Sequence, residues 1–182
     1  MNSIKKLVWA AVFLALGLIL PFFTGQIPEI GSKLLPMHIP VFLCGFVCGW
    51  KYGLLVGFIT PLFRMMLFGM PPLMTAVGMA FELAAYGTVT GILYNRLAKS
   101  KIRIYVSLIA AMIVGRIIWG FASVVLYGIS GTAFTWQIFL AGSFLNAIPG
   151  IILQLVAVPM LMLAFEKSGV VNINEEYHPR TC

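Results

Sequence analysis

Residues 73–97 read LMTAVGMAFELAAYGTVTGILYNRL, an apolar stretch that is long enough to cross a membrane and carries Glu82 near its middle. A second apolar stretch, Ile104–Tyr127, holds Arg116 in the same way. A charged side chain at membrane depth costs about 2.5–3.5 kcal/mol or more, so it persists where it faces the bundle interior and finds a partner. The two stretches therefore predict neighbouring membrane helices with a polar site between them.

The composition of the whole chain is typical of a membrane protein. Of its 182 residues, 61% are hydrophobic and 9% are charged, and the mean hydropathy is +1.02. Soluble proteins carry about 25% charged residues. The first apolar run lacks the small-residue cleavage site of a signal peptide, so it is predicted to be a helix of the domain. We expect an all-α membrane domain over residues 1–166 and a polar cytoplasmic tail over residues 167–182.

Six transmembrane helices are predicted, because the chain contains six apolar runs separated by turn residues or charges. A span needs roughly 20 apolar residues, and fewer where neighbouring helices bury its ends. Lysine and arginine concentrate on one set of helix ends, whereas the opposite set carries Lys33 alone, so the positive-inside rule predicts that both termini are cytoplasmic. The net charge of +7 is thus explained by topology and does not indicate a nucleic-acid partner. The approximate bounds of the spans are Ile4–Phe22, Pro36–Gly49, Trp50–Phe68, Leu73–Leu97, Ile104–Tyr127 and Phe134–Phe165.

A layer of polar side chains is predicted at one depth of this bundle. At 1.5 Å per residue, Glu82, Arg116 and Asn146 lie about 14–18 Å from the outer boundary of a core that is ~30 Å thick. Aromatic side chains share these helix faces, and a few convergent polar groups with aromatic walls suit a small amphipathic molecule. The predicted substrate-binding residues are His38, Arg64, Glu82, Tyr86, Arg116, Trp119 and Asn146.

Structural roles are open for the same residues. Glu82 and Arg116 are equally compatible with a purely structural ion pair. Asn146 is compatible with a cap on the kink before Pro149, and Arg64 is close enough to the surface for its side chain to extend outward. His38 is more often a helix-end residue than a ligand. The common depth of the polar groups favours a binding site.

Two connections on the sparsely charged side are predicted to cover that site. Residues 23–36 form a 14-residue connection, and loops longer than about 12 residues are often lids or binding loops. A stiff turn of sequence GMPP, residues 69–72, lies over the same face. The residues singled out in these connections are Gln26, Glu29, Lys33, Met70 and Pro71.

Several segments carry a resemblance to one family. Residues 11–15 read AVFLA, residues 36–41 PMHIPV, residues 49–53 GWKYG and residues 69–72 GMPP. With six spans in under 200 residues, this combination resembles the substrate-binding S component of energy-coupling factor (ECF) vitamin transporters, over about residues 4–166. The first segment fits the AxxxA motif of that family through Ala11 and Ala15.

The resemblance implies a prokaryotic plasma-membrane subunit that captures a small water-soluble vitamin from outside. It also implies that the connections at residues 23–36 and 69–72 gate the vitamin site. It implies that Ala11 and Ala15 dock on a transmembrane coupling subunit, which carries two ATPase subunits. The chain has no P-loop of the form GxxxxGK[ST], so ATP and Mg are expected on those partners. We expect no cofactor, metal site or catalytic residue on this chain. Two arginines against one acid in the spans favour an anionic vitamin such as pantothenate.

Other function classes remain as alternatives. A stand-alone secondary transporter could use Glu82 as a proton site, although the chain shows none of the internal repeats that many such carriers have. Residues 128–131, GISG, superficially resemble the serine motif of rhomboid proteases, with His38 as the candidate base. The chain contains no HExxH motif and no Asp, which disfavours a metalloprotease. A structural or assembly role is the remaining alternative.

Overall fold

The computed structural model describes residues 2–24, 34–98, 100–129 and 147–170. These residues form six α-helices and a short 3-10 turn, with no strand in the described part of the chain, and the predicted all-α class is confirmed there. The helices are α1 (Ser3–Ile19), α2 (His38–Cys48), α3 (Trp50–Phe68), α4 (Leu73–Arg96), α5 (Ile102–Ile129) and α6 (Ile148–Lys167), and the 3-10 turn is Leu20–Thr24.

The second helix is much shorter than its neighbours. Among the described residues, five helices are long and apolar enough to cross a membrane, and α2 is the exception. With 11 residues at 1.5 Å each, α2 covers about half of a ~30 Å hydrocarbon core. Five of the six predicted spans thus have helices of spanning length. The predicted start of the sixth span at Phe134 lies outside the described residues, which resume at Ala147.

Short connections make the four consecutive helices α2 to α5 antiparallel neighbours. Gly49 joins α2 to α3 with φ 91°, and Gly69 ends α3 with φ 69°, a left-handed conformation that glycine adopts at little cost. The Gly69 N–H donates to the carbonyl of Met65 at 2.8 Å, which satisfies one of the last carbonyls of α3. We call the end of the bundle that holds Phe68 and Leu73 the Leu73 end, and the opposite end the Arg96 end.

The hairpin of α2 and α3 packs tightly against α4 through glycines. A Cβ atom on Gly53 would lie 2.5 Å from the carbonyl oxygen of Gly87, and a Cβ on Gly45 would lie 2.6 Å from the same oxygen. One turn further, a Cβ on Gly57 would collide with the backbone of Leu83. Small residues at these positions let helix backbones approach closely, as is usual in membrane bundles. This contact fixes the depth at which α2 begins relative to α4.

Candidate functional site

Glu82 and Arg116 form a buried ion pair between α4 and α5. The Arg116 Nη1 lies 2.9 Å from the Glu82 Oε1, and the two side chains are 8% and 3% exposed, respectively. Tyr86 donates its hydroxyl proton to the same oxygen at 2.7 Å. The structure therefore brings together three of the residues that the sequence predicts for the site. We call Glu82, Tyr86 and Arg116 the ion-pair cluster.

Local sequence explains why these three side chains meet. Glu82 and Tyr86 are four residues apart, so they lie on one face of α4. Arg116 follows Gly115 on α5, and a Cβ atom on Gly115 would collide with the Tyr86 ring. The glycine therefore makes the space that the Tyr86 ring occupies against α5. A large residue at position 115 would displace Tyr86 from Glu82.

Two further rings of α2 pack against Tyr86. The centroid of the Phe42 ring lies 4.8 Å from that of Tyr86, with the ring planes inclined by 26°. The His38 ring lies 5.4 Å from Tyr86, and His38 is only 1% exposed. Both of its ring nitrogens lack a hydrogen-bond partner in the described part of the chain. Buried polar groups are usually paired, so His38 has unused hydrogen-bonding capacity inside the bundle.

Trp119 borders the ion-pair cluster on the side of the Leu73 end. Its Nε1 lies 3.5 Å from the position that a Cβ on Gly78 would occupy. Gly78 precedes Glu82 by one helical turn, so the half-buried indole packs on α4 one turn from Glu82 toward the Leu73 end. The polar cluster is thus bounded by aromatic rings on α2 and α5.

Arg64 has partners outside the ion-pair cluster. Its Nη1 donates to the carbonyl oxygen of Leu18 at 2.7 Å, and its guanidinium lies 5.1 Å from the Phe22 ring centroid and 5.6 Å from that of Phe68. Arg64 is 3% exposed, so its side chain does not extend outward to the surface. The guanidinium instead caps the last turn of α1, where a cation is favoured by the helix dipole. The structure does not bring Arg64 to Glu82.

The other predicted site residues divide into described and undescribed positions. Met70 is 40% exposed in the turn between α3 and α4, and Pro71 beside it is half-buried. Both lie at the Leu73 end, which is the end nearer to Glu82. Ala11 and Ala15 are exposed on one face of α1. Outside the described residues lie Gln26, Glu29, Lys33, Asn146 and the Ser130 of the protease alternative.

Phe42 and Gln154 are the interior residues that the predicted site omitted. Phe42 lies one turn after His38 on α2, and this four-residue spacing could have predicted that the two rings share one helix face. Gln154 on α6 is 2% exposed, and its Nε2 has no hydrogen-bond partner among the described residues. A buried amide in an apolar helix was the available signal. Within the same described ranges, no group of three His, Cys, Asp or Glu side chains could hold a metal ion.

Comparison with known families gives one match. A family model described as ECF transporter, substrate-specific component, matches residues 5–162. This range contains the ion-pair cluster, His38 and both alanines of the AxxxA motif. No curated protein and no solved structure matches the chain.

Proposed function

Because the chain belongs to the substrate-specific components of ECF transporters, we propose that it binds a small water-soluble vitamin in a site built on the ion-pair cluster. Members of this family are transport subunits rather than enzymes, and the apolar helices of this chain make it a multi-pass membrane protein. The proposal is supported most directly by the convergence of Glu82, Arg116, Tyr86 and His38 inside the bundle.

The energetics of the ion-pair cluster support a binding role. Replacing a buried ion pair by apolar residues of similar volume is often neutral or stabilising by about 1–4 kcal/mol. Stability alone therefore gives weak reason to keep Glu82 and Arg116 at this depth. A role in orienting Tyr86 and in setting the charge around a ligand is a stronger reason to keep the ion pair.

Charge balance supports an anionic vitamin such as pantothenate. Arg116 is neutralised by Glu82, whereas Arg64 forms no ion pair among the described residues. The helices thus carry one excess positive charge in the half of the bundle toward the Leu73 end. In a low-dielectric interior this charge raises the potential that a negatively charged ligand meets.

The proposed orientation has six membrane helices and both termini in the cytoplasm of a prokaryotic cell. The Leu73 end then faces outward, and we propose that Met70 and Pro71 in its α3–α4 turn border the entrance to the site. The gating role of Gln26, Glu29 and Lys33, which lie outside the described residues, is proposed on the sequence alone. The tail at 167–182 lies on the cytoplasmic side of the domain at 1–166. Basic residues at the Arg96 end support this orientation through the positive-inside rule.

The proposed partners are a transmembrane coupling subunit and two ATPase subunits that bind ATP and Mg. Ala11 and Ala15 support this assembly because they are exposed on α1 and leave a flat strip. Val8 and Val12 beside them are 57% and 42% exposed, so the strip is also apolar. A subunit that is driven by ATPase partners does not need Glu82 as a proton site, which is what the secondary-transporter alternative requires.

Fluorescence titration tests the proposed function. The purified chain would be titrated with a panel of water-soluble vitamins while tryptophan emission is recorded. Trp119 packs beside Gly78, which lies one turn from Glu82 on α4, so we expect one vitamin to change the emission saturably, and the change to disappear in Trp119→Phe. Absence of any saturable response, together with no thermal protection by any vitamin, would contradict the proposal.

A further inference from the structure

We propose that the substrate carries a carboxylate, and that this carboxylate binds at the N-terminus of α2 through His38 rather than to an arginine. The inference rests on the proposed function, because it names the recognition element within that same site. Four features of the described residues support it.

The first feature is the depth at which α2 begins. Gly45 contacts Gly87, and His38 precedes Gly45 by seven residues, or about 10 Å toward the Leu73 end. Glu82 precedes Gly87 by five residues, or about 8 Å in the same direction. The first turn of α2 therefore lies level with the ion-pair cluster, and the 5.4 Å distance between the His38 and Tyr86 rings agrees.

The second feature is the positive end of the α2 helix dipole. The N-terminus of a helix carries about half a positive charge, and its first N–H groups have no partner within the helix. The N-cap residue Met37 provides no side-chain cap, and the first turn contains no acidic residue. Broken membrane helices in other transporters present such ends to anionic groups of their substrates.

The third feature is His38 itself. The residue is 1% exposed, and neither Nδ1 nor Nε2 has a hydrogen-bond partner in the described part of the chain. Its ring is held by Tyr86, so its position does not depend on a ligand. An imidazole N–H can donate to a carboxylate oxygen, and such a charge-assisted bond would satisfy a group that is otherwise costly to bury.

The fourth feature is that Arg116 and Arg64 already have partners within the protein. Arg116 is paired with Glu82 at 2.9 Å. Arg64 is bonded to the Leu18 carbonyl at 2.7 Å and lies over two phenyl rings. The Glu82 carboxylate already neutralises the charge of Arg116, and the Arg64 guanidinium is directed toward α1. The first turn of α2 instead offers a helix dipole and an imidazole that has no other partner among the described residues.

The small number of donors favours a carboxylate over a phosphate. The third residue of α2 is Pro40, which has no N–H, and the His38 N–H donates to the Leu35 carbonyl at 3.1 Å. Among the described residues, the Ile39 N–H and the His38 ring remain as donors in this turn. Two donors match the two oxygens of a monoanionic carboxylate, whereas a phosphate presents three strong acceptor oxygens and nearly two charges.

The test compares acids with neutral analogues that have the same skeleton. Isothermal titration of the purified chain would use pantothenate and panthenol, nicotinate and nicotinamide, and biotin and biotinamide. We expect one acid to bind at least about 10-fold more tightly than its neutral analogue. His38→Phe keeps a ring but removes both nitrogens. This variant should bind the acid about 10–100-fold more weakly than wild type. The ratio of its affinities for the acid and for the neutral analogue should be close to one.

Two further variants control for folding and packing. His38→Gln retains an amide N–H and should preserve part of the acid preference, and it carries the test if His38→Phe does not fold. Phe42→Leu removes the phenyl ring that stacks on Tyr86 and changes no polar atom. It should therefore change the affinities for the acid and for its neutral analogue by the same factor.

Three results would overturn the inference. An unchanged acid preference in His38→Phe would place the carboxylate elsewhere. The claim that the substrate is recognised through a carboxylate would be refuted if a neutral analogue bound wild type as tightly as its acid, or if the bound vitamin had no acid group. Either result would leave the proposed function intact. If no vitamin of any class binds the wild-type chain, the proposed function itself fails, and this inference fails with it.

Discussion

The substitution Arg116→Met tests the energetics of the ion-pair cluster. It removes the guanidinium at 2.9 Å from Glu82 and keeps a side chain of comparable length. Among the described contacts, Glu82 then retains one partner, the Tyr86 hydroxyl at 2.7 Å. Its charge stays buried, because the side chain is only 3% exposed. Removing one partner of a buried ion pair costs about 3–5 kcal/mol, because the other charge is left uncompensated. We therefore expect a large loss of stability in the ligand-free chain.

The assay is thermal unfolding of the purified chain in detergent. For a chain of this size, 1 kcal/mol lowers the melting temperature by about 2–4 °C, so the expected decrease is roughly 6–20 °C. The matched control is the double variant Glu82→Gln and Arg116→Met, which leaves no buried charge and keeps an acceptor for Tyr86. The double variant should recover most of the loss. A single variant as stable as wild type, or a double variant as unstable as the single one, would refute the reasoning.

Three further predictions concern packing, docking and the cap on α1. Gly87→Ala should destabilise the chain by at least about 1–3 kcal/mol, because the added methyl would collide with the backbone of Gly53; Gly128→Ala, with nothing within 4 Å of the added methyl, is the control and should unfold at or above the wild-type temperature. Ala11→Trp should abolish uptake by the full transporter while leaving vitamin affinity on the isolated chain unchanged, and an equal loss of affinity would show that α1 is not the docking surface. Arg64→Met should lower the stability by about 1.5–3 kcal/mol and reduce the preference for acid over neutral vitamin without abolishing it, because it removes the excess positive charge but leaves His38 in place; complete loss of the preference in titration would assign the carboxylate to Arg64.

The ion-pair cluster could be predicted from sequence because lipid leaves a charge few alternatives. Glu82 and Arg116 lie at similar depths in consecutive antiparallel helices, and mutual pairing is the simplest way to bury both. The spacing of Tyr86 from Glu82 then places the hydroxyl beside the carboxylate. The need to neutralise a buried charge thus predicts the first partner of Glu82, and the four-residue spacing predicts the second.

The partners of Arg64 and Tyr86 in other helices could not be predicted in the same way. Arg64 binds a backbone carbonyl, and every residue has one, so no side-chain pattern points to Leu18. Ten of the eleven residues of α2 are buried, so the helix is apolar on all sides and its sequence does not show which face meets Tyr86. The stacking of Phe42 is therefore a property of the glycine contacts that place α2 against α4.

The measurement that tests the central claim most directly is mass spectrometry of small molecules released by denaturing the purified wild-type chain, with Arg116→Met in parallel. We expect one vitamin in stoichiometric amount from wild type and its loss from the variant, in which an uncompensated Glu82 charge would repel an anion. A wild-type chain that releases no vitamin, even after incubation with the full panel, would contradict the assignment of this chain as a vitamin-binding subunit.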